Sequence, residues 1–281
     1  MKKNILVDIG INYNQLTRKE KKVADYVTQN PDKVIFMSIT ELADECDVAE
    51  ATIHRFCRTV KTKGYQEFKM LLSLTGSGGD DLKGSDKNSN ISGTDMYDKI
   101  LENHIASLQE TRSLLDPSVV EATVSIMKAS KRLIFTGVGN SMITAEAAAG
   151  KFLHITPKAQ YIIDTHMQSI AASMMDTNDM VIIFSYSGDT SDNAHVACIA
   201  KKAGAKVSVI TRYPKSKLTK YADTVLICGS KEGPLEGGSM GAKMSQLYII
   251  DILFQCYYNA TLKESRKYNE LTAKANVDKF I

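Results

Sequence analysis

The chain has 281 residues, of which 43% are hydrophobic and 24% charged. That excludes a disordered polypeptide and leaves material for a sizeable core, and at roughly 100–200 residues per domain the length suggests two domains. Thirty-five Lys and Arg against 32 Asp and Glu leave a net charge of +3, too small to indicate nucleic acid unless the charge is unevenly distributed.

The first 72 residues read as short helices. Thr17-Arg18-Lys19-Glu20 is a capping box, and Val23, Ala24, Tyr26 and Val27 supply an apolar stripe behind it. Asn30-Pro31 stops that helix and starts a short second one. A second capping box, Ser38-Ile39-Thr40-Glu41, opens a helix through Cys46; after Asp47 and Val48 another runs from Glu50 to Val60, and Gly64 ends the turn beyond it.

Ile39, Leu42, Ala43, Val48, Ile53 and Phe56 fall at the buried positions of a helix-turn-helix, with Ala43 small enough to let the helices cross closely. Charge is segregated around this pair. Residues 41–50 hold five acids and no base, whereas 51–69 hold Arg55, Arg58, Lys61, Lys63 and Lys69 against Glu67 alone. Thr52, His54, Arg55 and Arg58, expected off the buried face of the second helix, suit base-edge and phosphate contacts in a major groove. Ser38, Thr40, Lys61 and Lys63 complete the candidate DNA contacts. The pattern alone leaves a plain helical hairpin with a solvated basic end equally open.

Ser73–Asp95 contains five of the 17 glycines and five serines, with few apolar side chains, and is expected to be a flexible linker. From residue 96 to 281 the rhythm changes to alternating helix and strand. After helices at about Met96–Leu115 and from Asp116-Pro117, strands are expected at Arg132–Thr136, Gln160–Ile163, Met180–Ser185, Lys206–Ile210 and Thr224–Cys228, and a long apolar helix at Gly241–Tyr258. Such alternation predicts a parallel five-stranded sheet flanked by helices, with any ligand beyond the carboxyl ends of the strands.

Two loops sit at such ends. Gly137-Val138-Gly139-Asn140-Ser141 leads into a helix over Met142–Leu153, and Ser185-Tyr186-Ser187-Gly188-Asp189-Thr190 leads into another. Glycines let the backbone approach an anion, helix N-termini offer unpaired N–H groups, and hydroxyls hold phosphate oxygens without fixed charge. Gly139, Asn140, Ser141, Ser185, Ser187, Gly188 and Thr190 are therefore candidate contacts to a phosphorylated small molecule, the alternative being two tight serine-capped turns. Position 142 is Met rather than the third glycine of a dinucleotide fingerprint, so Asp164, after the second strand, only imitates its ribose-binding acid. No P-loop lysine motif occurs.

Other classes fall away. Apolar runs such as Met180-Val181-Ile182-Ile183-Phe184 are far short of the roughly 20 residues of a membrane helix, and Asp8, Asn12 and Asn14 interrupt any signal-peptide core after Lys2 and Lys3. Five cysteines without a CxxC pair read as reduced thiols of a cytoplasmic protein; neither they nor the five histidines cluster as a metal site requires, so no metal and no cofactor are expected.

Several of these segments carry a resemblance. Leu16-Thr17, Asn30-Pro31, Met37-Ser38-Ile39, Glu41-Leu42-Ala43, Ala51-Thr52-Ile53, Arg55-Phe56-Cys57 and Gly64-Tyr65-Gln66-Glu67-Phe68-Lys69 are similar to the DNA-binding domain of RpiR/MurR-type transcriptional regulators. GVGNS at 137–141, SYSGDT at 185–190 and the phrase from Ser245 to Phe254 resemble the sugar isomerase (SIS) domain that this family joins to it, of flavodoxin-like fold. The resemblance implies a regulator of carbohydrate catabolism, homodimeric or homotetrameric through its SIS domains, binding double-stranded operator DNA with an affinity set by a phosphorylated sugar. Ala49 departs from the serine that commonly caps the second helix, Asp47 from a frequent glycine, and Glu50 adds an acid near the groove-facing end. Glu236, in the glycine-rich loop 233–238, is a further candidate contact to a ligand hydroxyl, or a solvated loop acid. The alternative function is a sugar-phosphate isomerase, in which Glu236 would be the base, with His154, His166 and His195 weaker candidates. A segregated basic helix has no use in an isomerase, so the regulator is the reading preferred.

Overall fold

The computed structural model describes residues 4–75, 93–230, 233–235, 238–275 and 277. The chain divides into two compact units, Met1–Leu101 with Lys231–Ser239, and Glu102–Ser230 with Met240–Ile281. Most of the expected linker lies outside the described residues; its first three residues end a helix and its last three begin one.

The first unit contains α1 (Ile5–Asn12), α2 (Arg18–Gln29), α3 (Pro31–Val34), α4 (Ile39–Glu45), α5 (Glu50–Thr59) and α6 (Tyr65–Thr75). Both expected capping boxes form: Thr17 with Glu20 opens α2, and Ser38 with Glu41 opens α4. Helices α4 and α5 end alike. Val48 N–H donates to Ala43 O and Asp47 N–H to Asp44 O, while Thr62 N–H donates to Cys57 O and Lys61 N–H to Arg58 O. Each end is a Schellman motif, whose turn residue is left-handed: Asp47 at φ 51° and Lys61 at φ 60°. Ile39, Leu42, Ala43, Ile53 and Phe56 are buried as expected, and Phe56 meets Phe68 of α6 edge-on at 5.4 Å. The helices α1 and α6, not anticipated, close this core with Ile5, Ile9, Phe68 and Leu72. Burial pushes the Cys46 thiol up to about 11 and that of Cys57 to about 12, so both stay protonated within the packing.

The second unit takes its first helix residues from α7 (Gly93–Leu114), followed by α8 (Pro117–Ala129), β1 (Arg132–Gly137), α9 (Asn140–Leu153), β2 (Ala159–Tyr161), α10 (Thr165–Ser173), β3 (Asp179–Phe184), α11 (Ser191–Lys202), β4 (Lys206–Thr211), β5 (Thr224–Ile227), α12 (Met240–Ala260) and α13 (Leu262–Lys274). The strands form one parallel sheet in the order β2-β1-β3-β4-β5. All five expected strands exist, with ends shifted by a residue or two. Edge strand β2 stops at Tyr161 because the carbonyls of Ile162 and Ile163 accept from the Gln168 amide instead of a ladder partner. Central β3 is buried throughout, as a continuous apolar run should be. One face of the sheet packs Phe135, Phe184 and Leu133 against α8, α9 and α12; the other packs Ile134, Val181 and Ile183 against α10 and α11.

At the amino edge, Arg132 forks both carboxylate oxygens of buried Asp179, tying the starts of β1 and β3. The paired guanidinium holds the Asp179 carboxyl below its usual range despite burial. Asp179→Asn should therefore lower stability at neutral pH. Because the folded carboxyl is the stronger acid, the difference from the parent should shrink as pH falls through the carboxylate range, in urea titrations at stepped pH. In the other unit, α5 starts on Ala49, extended at φ −78° and ψ 149° with no side-chain cap. Ala49→Ser should stabilise the chain by about 1 kcal/mol, read as a higher urea midpoint at unchanged slope.

Candidate functional site

Helix α5 presents an outer face of Ala51, His54, Arg55 and Arg58, all exposed, and exposed Lys61 and Lys63 continue it past the helix end. The left-handed turn at Lys61 reverses the chain immediately after α5, which keeps Lys61 and Lys63 beside the helix they follow. Thr52 does not belong to this face: it is 2% exposed, and its Oγ1 accepts from the Arg55 guanidinium at 3.3 Å. Its place one residue before Ile53 rotates it onto the core side. Ser38 is also 2% exposed and its hydroxyl caps α4, so the expected direct DNA contact is replaced by a structural one. Thr40 is half-buried and donates to Glu50 Oε1 at 2.8 Å, joining α4 to the first turn of α5. Lys69 is buried against Tyr65 and donates to Met37 O, so its charge is not part of the basic face.

The acid block is partly neutralised from behind. Asp47 pairs with Lys22 at 3.1 Å and Glu45 with Lys33 at 3.5 Å, while Glu45 also accepts from the Tyr26 hydroxyl. These exposed pairs add little stability, but they draw negative charge toward α2 and α3.

In the other unit, Gly137 at the end of β1 is the register partner of Phe184 at the end of β3. The helices that follow, α9 and α11, therefore begin beside each other, and neither Gly139 nor Thr190 caps its helix with a side chain. Asn140 is exposed and Ser141 half-buried in the first turn of α9; Ser187 and Thr190 are half-buried ahead of α11. Ser185 departs from expectation. It is buried, and its Oγ accepts from Gly188 N–H at 3.2 Å, which shapes the turn. Ser187 Oγ similarly accepts from Asp189 N–H at 3.3 Å while remaining partly accessible. Gly139 lies at φ 59° and ψ −128°, a conformation that disfavours side chains, with open space about it.

Glu236 lies outside the described residues. His154 follows the last residue of α9, about 20 Å along the helix from its site end. His166 and His195 are exposed on α10 and α11, and Asp164 caps α10 by accepting from Met167 N–H at 2.8 Å. Among the described residues no group of three or more His, Cys, Asp or Glu could hold a metal, and no helix is long and apolar enough to cross a membrane.

Sequence reasoning missed the residues that lock the second loop. Tyr186 O accepts from Arg212 N–H and from the Thr211 hydroxyl, and its own hydroxyl donates to Ser230 O at 2.8 Å. Glu110 then accepts from the Arg212 guanidinium at 2.8 Å and from Ser230 N–H at 2.9 Å. The two bonds to Glu110 join residues more than a hundred positions apart, which no local motif announces. Gly188 lies at φ 65°, its carbonyl accepts from Leu218 N–H, and an added Cβ would lie 2.2 Å from Ser216 Oγ. Gly188→Ala should cost more than about 2 kcal/mol through combined backbone strain and overpacking, measured by urea denaturation.

Comparison with known proteins finds two matching families. Residues 3–77 match the helix-turn-helix domain of the rpiR family, and residues 126–255 match the SIS domain. An HTH-type transcriptional regulator of Haemophilus influenzae is 36% identical over 89% of this chain and 88% of its own length. The HTH-type transcriptional regulator HexR of Pseudomonas aeruginosa is 31% identical over 89% of this chain and 88% of its own length. The structure of Vibrio vulnificus NanR complexed with ManNAc-6P superposes with a TM-score of 0.88 at 29% identity, covering 99% of this chain and all of that one. The chain belongs to the rpiR family of helix-turn-helix transcriptional regulators that carry an SIS domain.

Proposed function

We propose that this regulator binds an operator through the outer face of α5 and that a phosphorylated sugar held by the 137–141 and 185–190 loops changes its operator affinity. In this reading residues 1–72 are the DNA-binding domain and 96–281 the effector domain of a cytoplasmic homo-oligomer, whose two-fold symmetry presents paired helices to paired half-sites. The observation that carries the effector assignment is the adjacency of two helix N-termini without side-chain caps, accompanied by the hydroxyls of Ser141, Ser187 and Thr190. N–H groups and hydroxyls together suit a phosphate dianion. ManNAc-6P, bound by the Vibrio relative, is the first compound to test here. Glu236 remains a candidate contact to the sugar. His54, Arg55 and Arg58 supply the groove contacts, and Lys61 and Lys63 reach phosphates, while the Thr40 hydroxyl is committed to Glu50.

The DNA upstream of the regulator's own operon serves as the test fragment in fluorescence anisotropy. Arg55→Ala and Arg58→Ala should each weaken specific binding about tenfold, with no change in melting temperature because both side chains are exposed. Lys61→Ala and Lys63→Ala should instead each reduce the salt dependence by about one unit of slope, since each leaves one DNA phosphate with its counterion in place. If the parent protein prefers no upstream fragment over random DNA, the operator assignment fails.

For the effector, calorimetric titration with ManNAc-6P and a panel of hexose phosphates should find one compound that binds and shifts operator affinity. Ser141→Ala and Ser187→Ala should weaken it several-fold. A ligand that binds equally well with and without operator DNA would overturn the regulatory assignment.

A further inference from the structure

Three polar side chains beneath the two loops are almost wholly buried and each leaves one atom without a protein partner: Thr136 Oγ1, Gln168 Oε1 and Asn193 Oδ1. Each residue is 1% exposed. Gln168, on α10, donates from its amide nitrogen to Gly137 O at 3.1 Å and to Ile162 O at 2.8 Å. Both amide protons are thereby used by carbonyls, so rotating the group would set oxygen against oxygen. The orientation of Oε1 is fixed by this arrangement. Asn193, in the first turn of α11, donates from Nδ2 to Phe184 O at 3.5 Å.

Gly137 and Phe184 are register partners on adjacent strands, which lie about 4.8 Å apart. The two amides are thus drawn to neighbouring strand ends. Thr136, one residue before Gly137, shares the sheet face of Ile134, the face covered by α10 and α11. All three unpartnered atoms therefore fall in one layer, between the sheet and those helices. Two are carbonyl oxygens that only accept, and the third is a hydroxyl that can donate.

We infer that Thr136, Gln168 and Asn193 together bind one buried water molecule. It would donate its two protons to Gln168 Oε1 and Asn193 Oδ1 and accept the Thr136 hydroxyl proton, three bonds that complete the ordinary coordination of an internal water. Gln168 already holds the carboxyl end of β1, and Asn193 that of β3. The water joins the two holds, so it fixes the separation of the α9 and α11 N-termini. On the reading of those termini as the phosphate site, the three side chains are positioning residues: they touch the strand ends and never the ligand.

Thr136→Val, nearly isosteric, separates a bridged hydroxyl from a bare one by the sign of its effect. Removing a bridged hydroxyl leaves the water one bond short, so melting temperature should fall by about 2–4 °C, with Thr136→Ser restoring it. A bare buried hydroxyl is a burden, and its removal would raise the melting temperature and overturn the inference. A crystal structure of the full chain should show a solvent peak within hydrogen-bonding distance of all three atoms, absent in Thr136→Val. Density without that peak in the parent also overturns it. Neither measurement involves a ligand. The positioning role is read separately, by titration with inorganic phosphate and with ManNAc-6P, where Thr136→Val should bind about tenfold more weakly and Thr136→Ser near the parent value. Unchanged binding by Thr136→Val removes the positioning role. If the parent binds neither these nor any other sugar phosphate, the effector reading fails while the sign of the melting shift still decides the water.

Discussion

The parallel register that sets Gly137 of β1 beside Phe184 of β3 determines what the second unit can do. From that pair the chain leaves in opposite directions: β1 continues through α9 to β2 on one side, and β3 through α11 to β4 on the other. Right-handed crossovers then put the two helices on opposite faces of the sheet, and a crevice opens between their N-termini at the point where strand order reverses. The helices are held to that geometry from below. Gly137 allows α9 to approach closely, since a Cβ there would lie 2.8 Å from the backbone of Ser141. Gln168 and Asn193 hold the carbonyl ends of the same two strands. The Arg132–Asp179 fork secures their other ends, so β1 and β3 are tied at both edges of the sheet.

In the first unit the corresponding constraint is the turn between α4 and α5. A Schellman motif needs a left-handed residue, which costs an L-amino acid about 1–2 kcal/mol unless it is glycine. Asp47 tolerates that conformation, and its carboxylate is directed to Lys22. The turn then delivers Val48 to the core edge and starts α5 at the angle that buries Ile53, Phe56 and Cys57. One geometric requirement thus fixes both the core and the exposed direction of Arg55 and Arg58. The bulk charge of +3 hides this arrangement. Glu45 and Asp47 face lysines of α2 and α3, and the bases of α5 collect on its outer face.

The elements legible in the sequence were those written locally. Capping boxes at Thr17 and Ser38, and apolar runs such as Met180–Phe184, act within a few residues and so leave a pattern that a linear reading detects. Both glycine-serine loops are visible for the same reason. Burial of individual side chains was less legible. Thr52 and Ser38 are polar and sit among basic or capping residues, yet both are buried once the helices pack. Ser185 has the composition of a ligand contact, but a bond three residues ahead uses its oxygen. The Glu110–Arg212–Ser230 connections were invisible because each partner is unremarkable alone and only the folded sheet brings them together. Helix α1 escaped notice because a short apolar segment at a chain start carries no period long enough to distinguish helix from strand.

A phosphate held by helix N-termini and hydroxyls is recognised by charge and size, which every sugar phosphate shares. On the proposed placement of the effector, the two loops supply affinity without choosing among sugars. Beside the second loop, Arg212 is paired with Glu110. Neutral donors favour the phosphate dianion over the monoanion through hydrogen-bond count, and lose part of that advantage below the second phosphate pKa near 6. Selectivity must arise at the non-phosphate end of the ligand. Regulation requires more than occupancy. A sugar that bound both the operator-competent and the released arrangements equally would shift nothing, however tightly it bound. The chemically informative part of the effector is therefore its non-phosphate end, because only there can contacts differ both between sugars and between the two arrangements of the protein.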